Sequence, residues 1–515
     1  MLNRYSCWLI GAACLAAVIG CGPGPGGGLD LEIRFAQMQQ AQTDARGLPL
    51  GIQSYMVQGR AGLPDGALVG GTDCIDIDAT DTKRFSVKLD LPAHQVVAIV
   101  VAAYGGMNCS GSPEWQGVAH NVVIQEGQEI RVPIYVTRRG MQLNPTRAHF
   151  SKPRAFASAT ALDDGRILLV GGFENPVAQE GLTRLQAACD AMIYDPGTAT
   201  FSNPVPLATG CRGMHRALKL SDGRVLVVGG TRQLMVDFDG TVTVRPSGDH
   251  LVDTADVFDP QTGQFAPAGS IAGIGRADAA AVALPGDQVV QMGGRAVGLK
   301  SDEIVAGLLS GGTWNFADTG TSLLTPRSGA RATRLTAGIL VAGGNSPGTD
   351  PVELLDPVSY APEPVDISVS VPLSVFGHSL TQLSGIEALI AGGVPDEAGA
   401  LPGSGVVSIS LGSNPPTVWE GSLQHPRAFH AASLLEDGTI LVAGGLDDTL
   451  SARKDLEVLT PGGSSQVLSD AALTGESLGM AAALVPDGSV LLAGGLDLGA
   501  GGTVELSSEV LLLSP

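Results

Sequence analysis

Seven copies of one short element constrain the fold of this chain more than any other feature. Each copy is an apolar run that ends in two glycines, and the copies are ILLVGG at 167, VLVVGG at 225, VVQMGG at 289, ILVAGG at 339, ALIAGG at 388, ILVAGG at 440 and VLLAGG at 490. Their first glycines are 58, 64, 50, 49, 52 and 50 residues apart. A recurring spacing of this size predicts small sheets that repeat along the chain and bury one another's apolar faces.

The sequence around each double glycine predicts four strands per repeat. The first strand is small and apolar, as in FASATAL (156–162) and MAAALV (480–485), and an Asp-Gly turn often joins it to the double-glycine strand. The third strand ends in Asp-Pro in IYDP (193–196), VFDP (257–260) and LLDP (354–357). The fourth strand carries an aromatic residue at Phe201, Phe265, Trp314 and Trp419. The pattern therefore indicates an all-β fold.

These motifs resemble the kelch repeat. The resemblance implies a seven-bladed kelch-type β-propeller over residues 140–515, similar to the central domain of galactose oxidase. The likeness is incomplete, because the sixth repeat lacks the aromatic residue and the third and fifth lack Asp-Pro. The seventh repeat stops at its third strand, SSEVLLLSP, so we expect GMQLNPTRA (140–148) to supply the missing fourth strand.

The N-terminus has the pattern of an export signal. Arg4 precedes an apolar stretch that ends in VIGC, which resembles the bacterial lipobox. The resemblance implies a signal peptide over residues 1–20, cleavage before Cys21, and acyl chains such as palmitate on that cysteine. Gly22 stands where an inner-membrane retention aspartate would be, so we expect an outer-membrane lipoprotein of the cell envelope that is periplasmic or surface-exposed. Residues 21–30 are rich in glycine and proline, which predicts a flexible tether.

Residues 31–139 lack the double-glycine pattern. Short stretches of alternating polarity recur about every ten residues, which predicts a β-sandwich. This segment resembles immunoglobulin-like or transthyretin-like modules.

Charge and cysteine content limit the partners of the chain. The net charge is −21, with 51 acidic against 30 basic residues, so we expect no nucleic-acid partner. Export permits disulfides, and pairing within each domain predicts Cys74–Cys109 and Cys189–Cys211. The cysteine spacing and the absence of an accompanying histidine cluster argue against a zinc site.

Aligned repeats reveal a column of arginines near the start of the first strand. Five of the seven positions are arginine, namely Arg154, Arg212, Arg276, Arg327 and Arg427, whereas Val375 and Ser477 occupy the other two. One interpretation is a ring at the channel mouth that binds a carboxylate, a sulfate or an acidic glycan. The alternative is a structural role, in which each arginine bridges neighbouring acids or strand-end carbonyls.

Three histidines also align, three residues after the arginine column. His215, His378 and His430 invite a metal hypothesis, but they belong to repeats two, five and six, so at least one pair should lie far apart. We therefore expect packing roles and no metal site.

Copper-radical oxidases with a kelch propeller need two tyrosines, two histidines and a cysteine cross-linked to a tyrosine. Here the repeats contain two tyrosines, Tyr194 and Tyr360, and the cysteines are readily paired with each other. We accordingly expect no such chemistry and no cofactor.

The absence of recognisable catalytic motifs favours a membrane-anchored, non-catalytic binding or scaffolding module that presents its loops to a protein or glycan. The alternative is a carbohydrate-active enzyme, a sugar-processing kelch propeller that uses the arginine-lined mouth.

Overall fold

The computed structural model describes most of the chain as β-structure. The described residues are 27–35, 51–61, 67–78, 84–91, 96–124, 129–138, 142–145, 150–179, 182–196, 200–237, 243–246, 250–271, 275–296, 299–344, 351–395, 400–435, 437–475, 477–485, 488–499 and 503–514. Over these ranges the fold is all-β, with one 3₁₀ turn at Met107–Cys109. No helix within them has the length and apolar character needed to cross a membrane.

Eight strands before residue 140 form one hydrogen-bonded sheet. Their bounds in chain order are Gly27–Phe35, Ser54–Ala61, Leu68–Gly71, Ile75–Asp76, Arg84–Leu91, Val96–Tyr104, Trp115–Val123 and Glu129–Arg138. The path runs through strands 3, 2, 6, 7, 8, 1 and 5, and strand 4 pairs with strand 2. Strands 3 and 5 at its two ends contact each other, so the sheet curls around a core that includes Val57, Ile99 and Trp115.

The first of these strands begins inside the segment predicted as a tether. Gly27 and Gly28 are in register with Leu91 and Asp90, so four of the ten residues in 21–30 belong to the sheet. A ladder needs only backbone N–H and C=O groups, which glycine supplies without a side chain. Residues 21–26 lie outside the described part of the chain.

Seven further sheets follow, one for each double glycine, and we number them 1 to 7. Sheet 1 consists of Ser158–Ala161, Ile167–Val170, Asp190–Asp195 and Thr200–Phe201, with Val205–Pro206 added to its third strand. Sheet 2 consists of Arg216–Lys219, Val225–Val228, Thr254–Asp259 and Gln264–Ser270. Sheet 3 consists of Ala280–Leu284, Gln288–Met292, Leu299–Ser310 and Thr313–Arg327, with Arg295–Ala296 added to its third strand.

The remaining four sheets have the same strand order. Sheet 4 consists of Arg331–Leu335, Gly338–Ala342, Val352–Leu355 and Pro362–Pro364. Sheet 5 consists of Ser379–Gln382, Glu387–Ala391, Gly405–Ser410 and Thr417–Ser422. Sheet 6 consists of Ala431–Leu434, Ile440–Ala443, Asp455–Leu459 and Ser465–Ala472. Sheet 7 consists of Ala481–Leu484, Val490–Ala493, Val510–Ser514 and Gln142–Pro145.

Loops between these strands form three smaller sheets. The largest joins Phe173–Gln179, Leu182–Ala187, Gln233–Asp237 and Thr243–Pro246. The other two are the pairs Val375–Phe376 with Val394–Pro395, and Leu496–Gly499 with Thr503–Leu506.

The fourth strand of sheet 7 comes from the other end of the repeats. Gln142–Pro145 pairs antiparallel with the last strand, in a register that places Asn144 opposite Leu512. This confirms the prediction that the 140–148 segment completes the seventh repeat.

The first strands of the seven sheets contact one another in a closed cycle. Each contacts the first strand of the next sheet, and that of sheet 7 contacts that of sheet 1. These strands are four or five residues long and alanine is their commonest residue, which allows several sheets to approach one another closely.

The second strand of each sheet is apolar on both faces because it packs against two neighbours. In sheet 1, Leu168 and Val170 pack in a cluster with Val225 and Val227 of sheet 2. Ile167 and Leu169, on the opposite face, pack in a cluster with Leu491 of sheet 7. Burial on both faces removes the alternation that a strand with one solvated face would show.

The double glycines connect each sheet to the next. The amide of each second glycine donates to the backbone carbonyl at the arginine-column position of the following sheet, over 2.7–3.1 Å. The seven bonds are Gly172–Arg212, Gly230–Arg276, Gly294–Arg327, Gly344–Val375, Gly393–Arg427, Gly445–Ser477 and Gly495–Arg154. The last bond joins sheet 7 to the segment that leads into sheet 1, so these junctions also form a closed cycle.

The first glycine is required because the same carbonyl approaches it closely. Gly444 has a φ of +61°, and a Cβ atom there would lie 2.3 Å from the Ser477 carbonyl oxygen. Both the backbone conformation and the lack of space exclude a larger residue.

We predict that Gly444→Ala lowers the free energy of unfolding by about 3 kcal/mol, since it combines left-handed backbone strain with a steric clash. Gly475→Ala is the control, because a Cβ there meets no heavy atom within 4 Å. Urea denaturation of the purified protein measures both effects. Equal, small losses in the two variants would contradict this explanation of the double glycine.

Candidate active site

The five arginines of the repeat column lie in the protein interior. Their side chains, in Arg154, Arg212, Arg276, Arg327 and Arg427, are at most 1% exposed. Each guanidinium donates to the carbonyl of the first glycine of its own sheet, over 2.8–3.4 Å. Each also forms an ion pair with a carboxylate of the third strand, and these partners are Asp190, Asp256, Glu303, Glu353 and Glu457.

Arg427 shows how completely such a guanidinium is enclosed. Its Nη1 donates to the Gly444 carbonyl over 2.8 Å, and its Nη2 lies 3.1 Å from an Asp455 carboxylate oxygen and also contacts Glu457. Glu457 is itself fully buried. The side chain therefore ties the end of the second strand to the third strand.

The interpretation of these arginines as a ligand-binding rim is wrong. Burial removes all five from contact with solvent, and each guanidinium group already donates to a backbone carbonyl and pairs with a carboxylate. The structural alternative describes them correctly.

One cluster has the residue types of a metal site, but its carboxylates already form ion pairs with arginine side chains. Within the described ranges, His425, Asp455 and Glu457 bring possible ligand atoms within 4.8 Å of one another. Arg427 pairs with both carboxylates, and Arg453 Nε lies 2.6 Å from Asp455. These guanidinium groups supply the positive charge that a metal ion would bring.

A second column, two residues after the arginines, surrounds the point where the first strands converge. All seven of its members have left-handed backbone conformations, and they are Phe156, Met214, Asp278, Gly329, Gly377, Phe429 and Gly479. Backbone hydrogen bonds of 2.7–3.0 Å link neighbouring members, for example Phe156 N–H to Gly479 and Asp278 N–H to Met214.

A cavity of about 200 Å³ opens beside this column, and we call it the central cavity. Its apolar walls include Phe156, Met214, Phe429 and Met480. Its polar lining includes the side chains of His215, Arg216, Asp278, Arg331, His378 and His430. Residues from all seven sheets or the segments leading into them thus meet in one place.

The three predicted histidines all line this cavity, although they come from repeats two, five and six. His215 Nε2 lies 2.8 Å from Ser158 Oγ, and His430 Nε2 lies 2.9 Å from Ser379 Oγ. Burial, and after it the positive charge of a neighbouring arginine, lowers the pKa of each imidazole to about 3. All three rings are therefore neutral near pH 7.

These imidazoles also pack against the double glycines. A Cβ on Gly171 would lie 3.1 Å from Cε1 of His215, and one on Gly343 would lie 2.3 Å from the His378 ring. The predicted packing role thus accounts for the positions of the imidazole rings. The same positions make the three rings part of the cavity lining.

Arg216, Asp278 and Arg331 form an ionic cluster in the same cavity. Both guanidinium groups approach one oxygen, Asp278 Oδ1, at 3.4 Å from Arg216 and 3.2 Å from Arg331. Burial opposes ionisation of Asp278, but the charges of Arg331 and Arg216 outweigh it and lower the pKa of that carboxyl group. Burial, followed by repulsion from Arg331, lowers the pKa of Arg216 to about 9.

Sequence reasoning missed this cluster because it compared only the columns that repeat. Arg216 and Arg331 stand four residues after Arg212 and Arg327, where the other repeats have serine or alanine. Asp278 is the single acidic member of the left-handed column. The available signal was charged residues in columns whose other members are uncharged.

Both predicted disulfides are present in the structure. They join Cys74 to Cys109 and Cys189 to Cys211. Cys21 lies outside the described residues, so its lipidation stays a prediction.

The side chains in the described part of the repeats do not fit a copper-radical centre. Tyr194 is fully buried against Phe201, with ring centroids 5.6 Å apart, and the Tyr360 hydroxyl contacts Gln288. Neither tyrosine lines the central cavity, and its described lining contains no tyrosine or cysteine. Cys189 and Cys211 are bonded to each other.

Comparisons with known proteins identify the fold. No family model and no curated protein matches the chain. Among solved structures, it is similar to a fungal alcohol oxidase of the AA5 family in complex with copper, with a TM-score of 0.56 and 18% identity over 73% of this chain and 77% of that chain. At this identity the similarity shows the fold alone, which is consistent with a galactose-oxidase-like domain.

This comparison contradicts the prediction of a non-catalytic binding or scaffolding module. The matched structure is a catalytic oxidase, which points away from a non-catalytic scaffold. The prediction rested on the absence of catalytic sequence motifs. The polar side chains that meet in the central cavity come from repeats far apart in the sequence, so no short motif contains them.

We predict that Arg427→Met lowers the free energy of unfolding by about 3–5 kcal/mol, because it leaves Glu457 buried without its cation. Arg334→Met is the matched control, since Arg334 is exposed on sheet 4 and its replacement should change stability by less than about 0.5 kcal/mol. Chemical denaturation gives both values. A loss in Arg427→Met no larger than in the control would contradict the structural role of this arginine.

Proposed function

We propose that this chain is a carbohydrate-active enzyme whose active site is the central cavity. The observation that carries the proposal is the convergence of three neutral imidazoles and the Arg216–Asp278–Arg331 cluster in one cavity. A concave site with apolar walls and a few convergent polar groups of shifted pKa is typical of an active site.

The architecture that goes with this proposal is a seven-bladed kelch-type β-propeller over residues 140–515, preceded by an immunoglobulin-like or transthyretin-like β-sandwich over 31–139. The cyclic contacts of the first strands support the propeller. On this arrangement the central cavity lies where the blades converge, at one mouth of the channel.

The lining favours general acid–base chemistry on a sugar. The neutral imidazoles of His215 and His430 are hydrogen-bonded to Ser158 and Ser379 and can orient these hydroxyl groups. Asp278 is the one carboxylate in the described lining, whereas glycoside hydrolysis ordinarily uses two. The apolar walls formed by Phe156 and Phe429 suit the C–H faces of a sugar ring.

We predict that the purified protein turns over at least one sugar in a panel of mono- and disaccharides followed by NMR. His430→Gln should lower that turnover by about 100-fold or more, because it removes an acid–base group from the cavity. His250→Gln is the control, since His250 is exposed and lies outside the cavity. Absence of turnover across the panel, or equal rates in the two variants, would reject the proposal.

We further propose that the enzyme is an exported lipoprotein of the cell envelope, anchored in the outer membrane through acyl chains on Cys21. The VIGC sequence supports this placement, and Gly22 supports the outer membrane.

We predict that Cys21→Ser abolishes incorporation of radiolabelled palmitate and releases the protein from the membrane fraction of a bacterial host. Cys14→Ser is the control, because Cys14 lies in the segment removed on cleavage and its loss should preserve labelling. Labelling that persists in Cys21→Ser would disprove the anchor.

A further inference from the structure

The charges that line the central cavity do not balance. Arg216 and Arg331 contribute two positive charges, Asp278 contributes one negative charge, and the three imidazoles are neutral. The cavity therefore holds one surplus positive charge in a chain whose net charge is −21. Excess positive charge in the cavity of an acidic protein indicates that the cavity binds an anionic group.

The hydrogen bonds that the two guanidinium groups make within the protein are long, so an anionic ligand could accept shorter and stronger ones. Arg216 contacts Asp278 and the Ala330 carbonyl, both at 3.4 Å. Arg331 contacts Asp278 and the carbonyls of Gly329 and Ala330 at 3.2–3.4 Å. Charge-assisted hydrogen bonds to an acceptor that fits well are shorter, at about 2.7–2.9 Å.

Both arginines are held in place and reach solvent. Arg216 is 21% exposed and Arg331 is 31% exposed, in contrast to the five sealed arginines of the repeat column. They begin the first strands of sheets 2 and 4, on either side of the segment that carries Asp278. This placement leaves two guanidinium groups lining one cavity, which suits an acceptor with two oxygen atoms.

The rest of the cavity limits the size and polarity of the ligand. A volume of about 200 Å³ corresponds to roughly seven water molecules in the liquid, which is the scale of one sugar residue. Phe156 and Phe429 form one apolar wall, with ring centroids 6.1 Å apart, and Phe376 lies 5.9 Å from Phe429. A ligand must therefore offer an apolar ring face as well as an anionic group.

We propose that Arg216 and Arg331 bind the carboxylate of an acidic sugar, such as a uronic acid, and so make acidic sugars the substrate class of this enzyme. This inference rests on the proposed function, because it assigns the substrate of the same cavity. The carboxylate cancels the surplus charge and accepts from both guanidinium groups, while the sugar ring lies against the phenylalanines.

Calorimetric titration of the full chain with glucuronate and glucose, and with galacturonate and galactose, tests the proposal. We expect each uronate to bind at least 10-fold more tightly than its neutral parent. Arg331→Met should abolish that preference, and Arg331→Lys should restore part of it, because lysine keeps the charge but not the two-pronged geometry. The control Arg334→Met should keep the preference, and thermal unfolding verifies that each variant is folded.

The outcomes separate this inference from the proposed function. Equal binding of uronates and neutral sugars, or a uronate preference that survives Arg331→Met, would overturn the carboxylate assignment even where sugar turnover is observed. Tighter binding of glucose 6-sulfate than of glucuronate would overturn it in favour of a sulfate site. Uronate binding that depends on Arg331 without turnover of any sugar would support the anion site and reject the enzyme.

Discussion

The fold depends on one repeated contact, the hydrogen bond from a second glycine to the carbonyl at the arginine position of the next sheet. Seven such bonds connect the seven sheets, and the bond from Gly495 to Arg154 returns to the start. The carbonyl approaches so closely that the preceding residue has no space for a Cβ atom. This contact explains why a buried apolar strand should end in two residues that otherwise weaken strands.

The arginine that supplies the carbonyl also stabilises its own sheet. Its guanidinium group turns inward, donates to the first glycine of that sheet and pairs with a third-strand carboxylate, as Arg327 does with Gly343 and Glu353. Two residues later the backbone turns left-handed, and residues in and after this turn line the central cavity. The same local geometry therefore closes the ring and aims His215, Arg216 and Asp278 into the central cavity.

The sequence could predict what each repeat shares. The double-glycine spacing predicts the seven sheets, the incomplete seventh repeat predicts the pairing of Gln142–Pro145 with the last strand, and proximity within a domain predicts both disulfides. It could not predict the direction of the arginine side chains. Their acidic partners follow at variable distances, 26 residues from Arg327 to Glu353 but 44 from Arg212 to Asp256. The ionic cluster in the central cavity was missed for a related reason, since Arg216, Asp278 and Arg331 are departures from the repeat and come together only in three dimensions.

A crystal structure of the full chain tests the central claim most directly. The account predicts seven four-stranded sheets in a closed ring, with an amide-to-carbonyl hydrogen bond from each second glycine to the next arginine position, including Gly495 to Arg154. A different number of sheets, an open ring, or junctions in which these glycines lie away from the next sheet would contradict it.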